Sequence, residues 1–317
     1  MNPKMLATEA ADFLNISLPA IHKQLKSKNL FFSKNKNKVF FNHESAKKIF
    51  NLTFKPTCWS WLNLKGGVGK TNLSFATAIR LSLFGAKILV IDLDQQANFT
   101  QACGINSENK PILIDILRNK YEINQCISHV IPGLDIVPSR IDNAVLDNMF
   151  SINNLPVDRV IKRVVDNLKH SYDFVFIDCP PSLNATSSSA ALASDCIIIP
   201  LDPEKFSLSG LEITLNELHT NVFKVYEKFI DTKILLNKFD ARTSLSHETL
   251  SHLLSKVEYK NKIFNTFIRT SQDFPNAIAN NLSIFDNTKP STAKEDVNLL
   301  AIEIINSSKI TQGVIDA

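Results

Sequence analysis

The chain has 317 residues, 44% of them hydrophobic and 21% charged, with a formal net charge of +4. That is enough for a full core in one large domain plus a small one, or in two ordinary domains. No apolar run approaches the roughly 18 residues that span a bilayer, and the opening "MNPKMLATEA" lacks an apolar leader core, so secretion is not expected.

Five cysteines (58, 103, 126, 179 and 196) with no C-x-x-C spacing argue against a disulfide framework or a zinc site and for a reducing cytosol. The charge is uneven. Residues 1–50 hold nine lysines against Glu9, Asp12 and Glu44, whereas the other 267 residues sum to −2. A small basic module, residues 1–55, is therefore expected ahead of a near-neutral body, residues 56–317.

In chain order, "TEAADFLNISLPAIHKQLKSKN" reads as two short helices joined by a tight turn, the first capped by Thr8 and the second by Ser17. "LFFSKNKNKVFFN" reads as a β-hairpin with a basic tip, and "HESAKKIFNL" as a third helix. Two helices and a basic wing resemble the winged helix-turn-helix or MerR-like DNA-binding class. On that reading the second helix offers His22, Lys23, Gln24 and Lys26 to the major groove, while Lys34, Lys36 and Lys38 meet phosphates. The competing description is a small helical cap whose lysines are merely solvated.

After "NLTFKPT", which reads as a linker, short apolar runs alternate with longer amphipathic stretches. The expected strands are "CWSWLN", "KILVIDLD", "LDIVPS", "DFVFIDC", "CIIIPL", "KILLNKF" and "KIFNTFI"; the helical stretches include "VDRVIKRVVDNLKH" and "LEITLNELHTNVFKVYEK". Apolar runs without period-2 alternation suit strands buried on both faces. The expected fold is α/β, a mostly parallel sheet flanked by helices, preceded by the small winged helix-turn-helix-like module.

"CWSWLN-LKGGVGKT-NLSFATAIRLSLF" is strand, glycine loop and helix, the context a phosphate loop requires. Backbone N–H groups over Gly66, Gly67, Val68, Gly69, Lys70, Thr71 and Asn72 can wrap phosphates at the positive end of the helix. Lys70 would reach the β- and γ-phosphates of ATP, and the Thr71 hydroxyl would bind Mg²⁺. Asp178 ends the strand in "YDFVFIDCPPS" and is the candidate second magnesium residue, its alternative being a turn cap. In "LVIDLDQQAN", Asp92 and Asp94 fall on one side of the strand end; Asp94 is the candidate for orienting the attacking water, with Asp92 in support. Lys65, on the far side of the glycines from Lys70, has no role in an ordinary phosphate loop.

"KGGVGKT", "IDLDQQAN", "DFVFIDCPPS", "IIIPLDPEKFSLSGLE" and "LLNKFDART", in that order over about residues 57–290, resemble the ParA family of partition ATPases, phosphate-loop proteins with a deviant Walker A loop. The basic module resembles that of the longer plasmid ParA proteins, which regulate their own operon. The resemblance implies that Lys65 is the signature lysine, reaching the partner's nucleotide when two subunits close on ATP. It also implies Asp94 as the water-orienting acid, Asp178 as the Walker B acid, Asn237 as an adenine contact and Arg242 as a nonspecific DNA contact.

Further implications are an ATP-dependent homodimer on nonspecific DNA, an operator of its own, a ParB-like centromere-bound partner, and a cytoplasmic, nucleoid-associated location without membrane binding. The alternative is a nucleotide-controlled transcriptional repressor. A MinD-like membrane ATPase is disfavoured because "INSSKITQGVIDA" is neither basic nor clearly amphipathic. An iron–sulfur reductase is disfavoured because Cys179 has no partner cysteine placed to bridge a cluster, and a small buried residue describes it better.

Some positions depart from the family pattern. Leu64 replaces the usual Gln, Asn72 a second Thr, and Gln95 and Ala97 the usual Pro and Gly. In "TFIRTSQDF" the usual "IPR" becomes "IRT", which leaves Arg269 as the nearest substitute for a second DNA-contacting arginine.

Overall fold

The computed structural model describes residues 1–35 and 37–310. Lys36 and the last seven residues of "INSSKITQGVIDA" therefore lie outside the described residues.

The basic segment forms β1 (Met5–Leu6), α1 (Ala7–Leu14), α2 (Leu18–Ser27), β2 (Phe32–Asn35), β3 (Lys38–Phe41) and α3 (His43–Phe50). β2 and β3 make the expected hairpin, and β1, which no local pattern announces, pairs antiparallel with β3. Asn15, in left-handed backbone at φ 52, turns the chain between α1 and α2, and the Ser17 hydroxyl accepts from Ala20 N–H at 3.4 Å. α1 begins two residues earlier than expected. Leu6 is its cap residue and donates its N–H to the Glu9 carboxylate (3.1 Å), leaving Thr8 inside the helix. Glu9 satisfies an N–H that Thr8 cannot reach from within the first turn.

The body is a seven-stranded sheet built from β4 (Thr57–Trp61), β5 (Ile88–Asp92), β6 (Ser128–Ile131), β7 (Leu134–Val137), β8 (Phe174–Asp178), β9 (Cys196–Leu201) and β10 (Asp231–Leu236). Its order is β10-β9-β4-β8-β5-β7-β6, parallel throughout except for the β6–β7 hairpin. Both faces are covered, and successive residues feed opposite cores. Trp59, Trp61, Val90 and Phe176 face α4 (Lys70–Leu83) and the helix Thr292–Ser308. Cys58, Leu62, Ile91 and Ile177 face the helices Val160–Leu168, Ala185–Ala193 and Ser207–Glu217.

Two strand assignments change. β6 is an edge strand of four residues, too short to register as a pattern in sequence. "KIFNTFI" lies beside β10 but makes only isolated bridges there, Ile234 with Ile263 and Phe239 with Arg269. The interruption has a cause: the Thr266 N–H, next in line after that of Phe264 to reach β10, turns to the Glu303 carboxylate at 3.1 Å.

The N-terminal module shares one apolar core with the α4 side of the body. The rings of Phe13 and Phe50 lie 4.7 and 5.1 Å from Phe84, and His43 Nδ1 lies 2.7 Å from Ser82 O. Gly85 (φ 89) ends α4 where an added Cβ would sit 2.5 Å from Lys47 Cα, so the two backbones touch there. At the centre Arg80, fully buried, donates to Glu9 (3.1 Å) and to Asn298 (2.9 and 2.7 Å).

Candidate phosphate-binding site

β4 delivers the glycine loop to the carboxyl edge of the sheet, between the ends of β8 and β9, where α/β folds place their ligands. α4 starts at Lys70, directly after Gly69 in left-handed backbone. A cleft of about 460 Å³ opens there, lined among others by Gly67, Lys70, Thr71, Asn72, Asp94 and Pro181.

Lys70 is buried, with Nζ donating to Asn63 O at 3.2 Å. Burial pushes its ammonium below the ordinary lysine range, against the pull of Asp178, Cys179 and Asp94. Asp178 accepts from Thr71 Oγ1 at 2.7 Å and from Ser74 Oγ at 3.2 Å. Its carboxyl is pushed up to about 7 by burial, although the Thr71 hydroxyl and Lys70 oppose the rise. A hydroxyl and a carboxylate in contact, buried beside a lysine, form the hard-oxygen set that suits Mg²⁺ completed by phosphate oxygens and water. Among the described residues no cluster of three or more His, Cys, Asp or Glu is placed to hold a metal by itself.

Asp92 and Asp94 do not share one space. Asp92, fully buried, accepts from Thr100 N–H (3.0 Å) and Oγ1 (2.7 Å) and from Asp94 N–H (3.1 Å). Burial and the neighbouring Asp178 push its carboxyl well up. It staples the turn, while Asp94 lines the cleft. Ala97 keeps a left-handed φ of 53, the geometry a glycine takes without strain, so this departure from the family pattern costs about 1 kcal/mol.

Lys65 points along the rim into its own chain. Its Nζ lies 2.9 Å from Asp202 Oδ1, 2.5 Å from Glu204 Oε2 and 3.1 Å from Ser207 Oγ. Asn237 is buried and gives its amide to Val68 O at 2.8 Å, beside a second cavity of about 360 Å³ lined by Thr270, Phe274 and Pro275. Lys238, which no sequence pattern singled out, donates to Gly67 O at 2.8 Å.

The expected DNA contacts fare differently. Lys23, Lys26 and Lys34 are exposed, Gln24 half so. His22 is half-buried and its Nε2 is shielded from solvent. Lys38 donates to Thr288 O. Arg242 is 88% exposed and pairs with Asp240 at 2.6 Å. Arg269 is held by Asp296 (2.6 Å) and Glu295 (2.5 Å), which ties the segment after "KIFNTFI" to the helix Thr292–Ser308. All five cysteines are buried and unpaired with one another, and no helix among the described residues is long and apolar enough to cross a membrane.

A protein-family model described as an AAA domain matches residues 58–234. The sporulation initiation inhibitor protein Soj of Bacillus subtilis is 30% identical over 213 residues, 65% of this chain and 81% of Soj. The virulence plasmid ParA family protein pGP5-D of Chlamydia psittaci is 31% identical over 252 residues, 78% of this chain and 93% of that protein.

The chain belongs to the ParA/Soj family of phosphate-loop ATPases. The ParA/Soj fold extends over the body: a candidate plasmid partition protein from Borrelia burgdorferi bound to AMPPNP superposes with a TM-score of 0.64 at 23% identity, covering 80% of this chain and 99% of that one. In this ParA/Soj chain Thr71 and Asp178 are in contact beside Lys70 at the glycine loop, and the site is consistent with ATP and Mg²⁺.

Proposed function

We propose that this chain is a DNA-partition ATPase: ATP drives two copies together, the dimer binds nonspecific DNA, and a ParB-like centromere-bound partner stimulates hydrolysis and release. The observation that carries the reading is the convergence of Lys70, Thr71 and Asp94 on one cleft with Asp178 bonded to Thr71. Lys70 neutralises phosphate charge, and the loop N–H groups and the positive end of α4 orient the triphosphate. Thr71 and Asp178 would hold Mg²⁺, which when bound supplies further charge neutralisation on the phosphates. Asp94 orients water toward the γ-phosphate. Lys65 adds a cation from the second subunit after exchanging its Asp202 and Glu204 partners for the phosphoryl oxygens. Arg242, 88% exposed, is assigned to the DNA phosphates. Arg269 would have to leave Asp296 and Glu295 to join it, so it is the weaker of the two. The protein is assigned to the cytoplasm, on the nucleoid.

A second activity is operator binding by residues 1–55 as a winged helix-turn-helix module. It is favoured by the exposed lysines of α2 and β2 beside a three-stranded wing. The test is binding to a random-sequence duplex with ATP, ADP or no nucleotide, for the wild type and Lys70→Ala. ATP-dependent binding, lost in Lys70→Ala, is expected. Binding that ignores nucleotide refutes the partition reading, and binding confined to one operator leaves the nucleotide-controlled repressor.

A further inference from the structure

The N–H groups of a phosphate loop can face the ligand only if its carbonyls face away, and those carbonyls need partners of their own. In this chain Asn63 O and Lys65 O receive Lys70 Nζ, at 3.2 and 3.5 Å, and Gly69 O receives the α4 amide of Leu73 at 3.0 Å. The two carbonyls at the bend, Gly67 O and Val68 O, are taken by consecutive residues from the end of β10: Lys238 Nζ and Asn237 Nδ2, each at 2.8 Å.

We propose that Asn237 and Lys238 are positioning residues that clamp the backbone of the phosphate loop, so that what they tune is affinity for the polyphosphate moiety rather than for the base. The inference rests on the nucleotide-binding reading and reassigns Asn237, whose family resemblance points to adenine.

Three observations support the clamp. Asn237 is anchored from β9, its N–H donating to Leu201 O at 2.7 Å. Its amide is pressed onto the loop so closely that a Cβ on Gly69, at φ 91, would lie 2.4 Å from Nδ2. Lys238 adopts a left-handed φ of 53, unfavourable for a residue with a Cβ. That backbone is held by the Thr270 hydroxyl on Lys238 O at 2.9 Å. The twist turns the lysine back over the loop, where its ammonium also lies 3.8 Å from Asp202, the residue that holds Lys65.

The test uses the full chain and competition against a fluorescent ADP analogue, with inorganic triphosphate, ADP and GDP as competitors. Lys238→Met keeps the stem and removes the donor; Lys238→Arg restores a cationic donor. Because the Lys238 side chain is 47% exposed, neither change threatens the core. Losing a charged hydrogen bond to the loop is expected to weaken triphosphate and ADP alike by about tenfold. The ADP-over-GDP preference should stay unchanged and Lys238→Arg should recover the affinity. Asn237→Asp, which replaces the donor with an acceptor, is expected to act the same way and more strongly.

Unchanged triphosphate affinity in Lys238→Met overturns the proposal. So does a collapse of the ADP-over-GDP preference in either variant, which would return Asn237 to the base. A wild-type protein that binds ADP but not triphosphate also overturns it. One that binds neither fails the nucleotide reading itself, and the clamp with it.

Discussion

Lys65 and Asp202 form an ion pair within one chain, 2.9 Å from Nζ to Oδ1, and the carboxylate is only 3% exposed. The lysine proposed to act on a second subunit's nucleotide therefore has an intramolecular partner with which the phosphoryl group must compete. Lys65→Ala is expected to keep ATP binding, lose ATP-dependent dimerisation and slow hydrolysis by about 10²–10³, the usual loss for one charge-stabilising donor. Sedimentation velocity with ATP and Mg²⁺ checks the first two effects; a variant that still dimerises on ATP would remove Lys65 from the interface.

The same pair sets an acid limit. Burial would raise the Asp202 carboxyl, but Lys65 and Ser207 outweigh it and hold the group below the ordinary carboxylate range. A depressed folded pKa adds stability above the unfolded value of about 3.9, and that stability disappears as pH falls through the folded value. Melting temperatures between pH 7 and pH 3 should fall less steeply for Lys65→Met than for the wild type. Parallel curves would mean that Lys65 does not hold the carboxyl down.

Asp94 lines the cleft while Asp92 is spent on Thr100 and the turn. Asp94→Ala should reduce single-turnover hydrolysis by about 10²–10⁴, the range for a positioned acid–base group, with ATP affinity retained. Asp92→Ala should instead lower the melting temperature, because it leaves the buried Thr100 donors without an acceptor. Normal hydrolysis in Asp94→Ala would return the water-orienting role to another residue.

Arg80 joins α4, which follows the phosphate loop, to Glu9 of α1 and to Asn298. Removing one partner of a buried pair costs about 3–5 kcal/mol, and Glu9 at 28% exposure places Arg80→Leu near the lower end. Urea unfolding measures it; a loss below about 1 kcal/mol, the size expected of a surface pair, would show that the module is not held through Arg80.

If Lys23 and Lys26 enter the major groove and Lys34 meets a phosphate, all three displace counterions from the duplex, and each Lys→Ala change should lower the slope of log K against log salt by up to about 0.9. Lys38→Ala should leave the slope nearly unchanged, because its ammonium is already on Thr288 O. Slopes that stay at the wild-type value in all three exposed-lysine variants would take the module off the DNA backbone.

Much of the architecture was legible in the chain because its causes are local. The apolar runs of β4, β5, β8 and β9, and a loop whose Gly69 sits at φ 91 just before a helix-starting Lys-Thr, are each decided within about ten neighbouring residues. The cap on α1 falls two positions before Thr8, at Leu6, because both Thr8 and Glu9 are credible acceptors and only the three-dimensional path of Leu6 chooses between them. "KIFNTFI" carries the signature of a strand, yet Glu303, 37 residues away, takes the Thr266 N–H that β10 would have needed.

What the side chains of the site do was decided by tertiary structure. Lys65 meets Asp202 across 137 residues, Asn237 meets Val68 across 169, and Lys238 meets Gly67 across 171. Lys38 is drawn to a carbonyl 250 residues away. The sequence by itself determined that a phosphate loop with two lysines exists. Where each lysine points depends on which distant carboxylate or carbonyl the fold brings within about 3 Å, because a charge–charge contact has no sequence period to announce it.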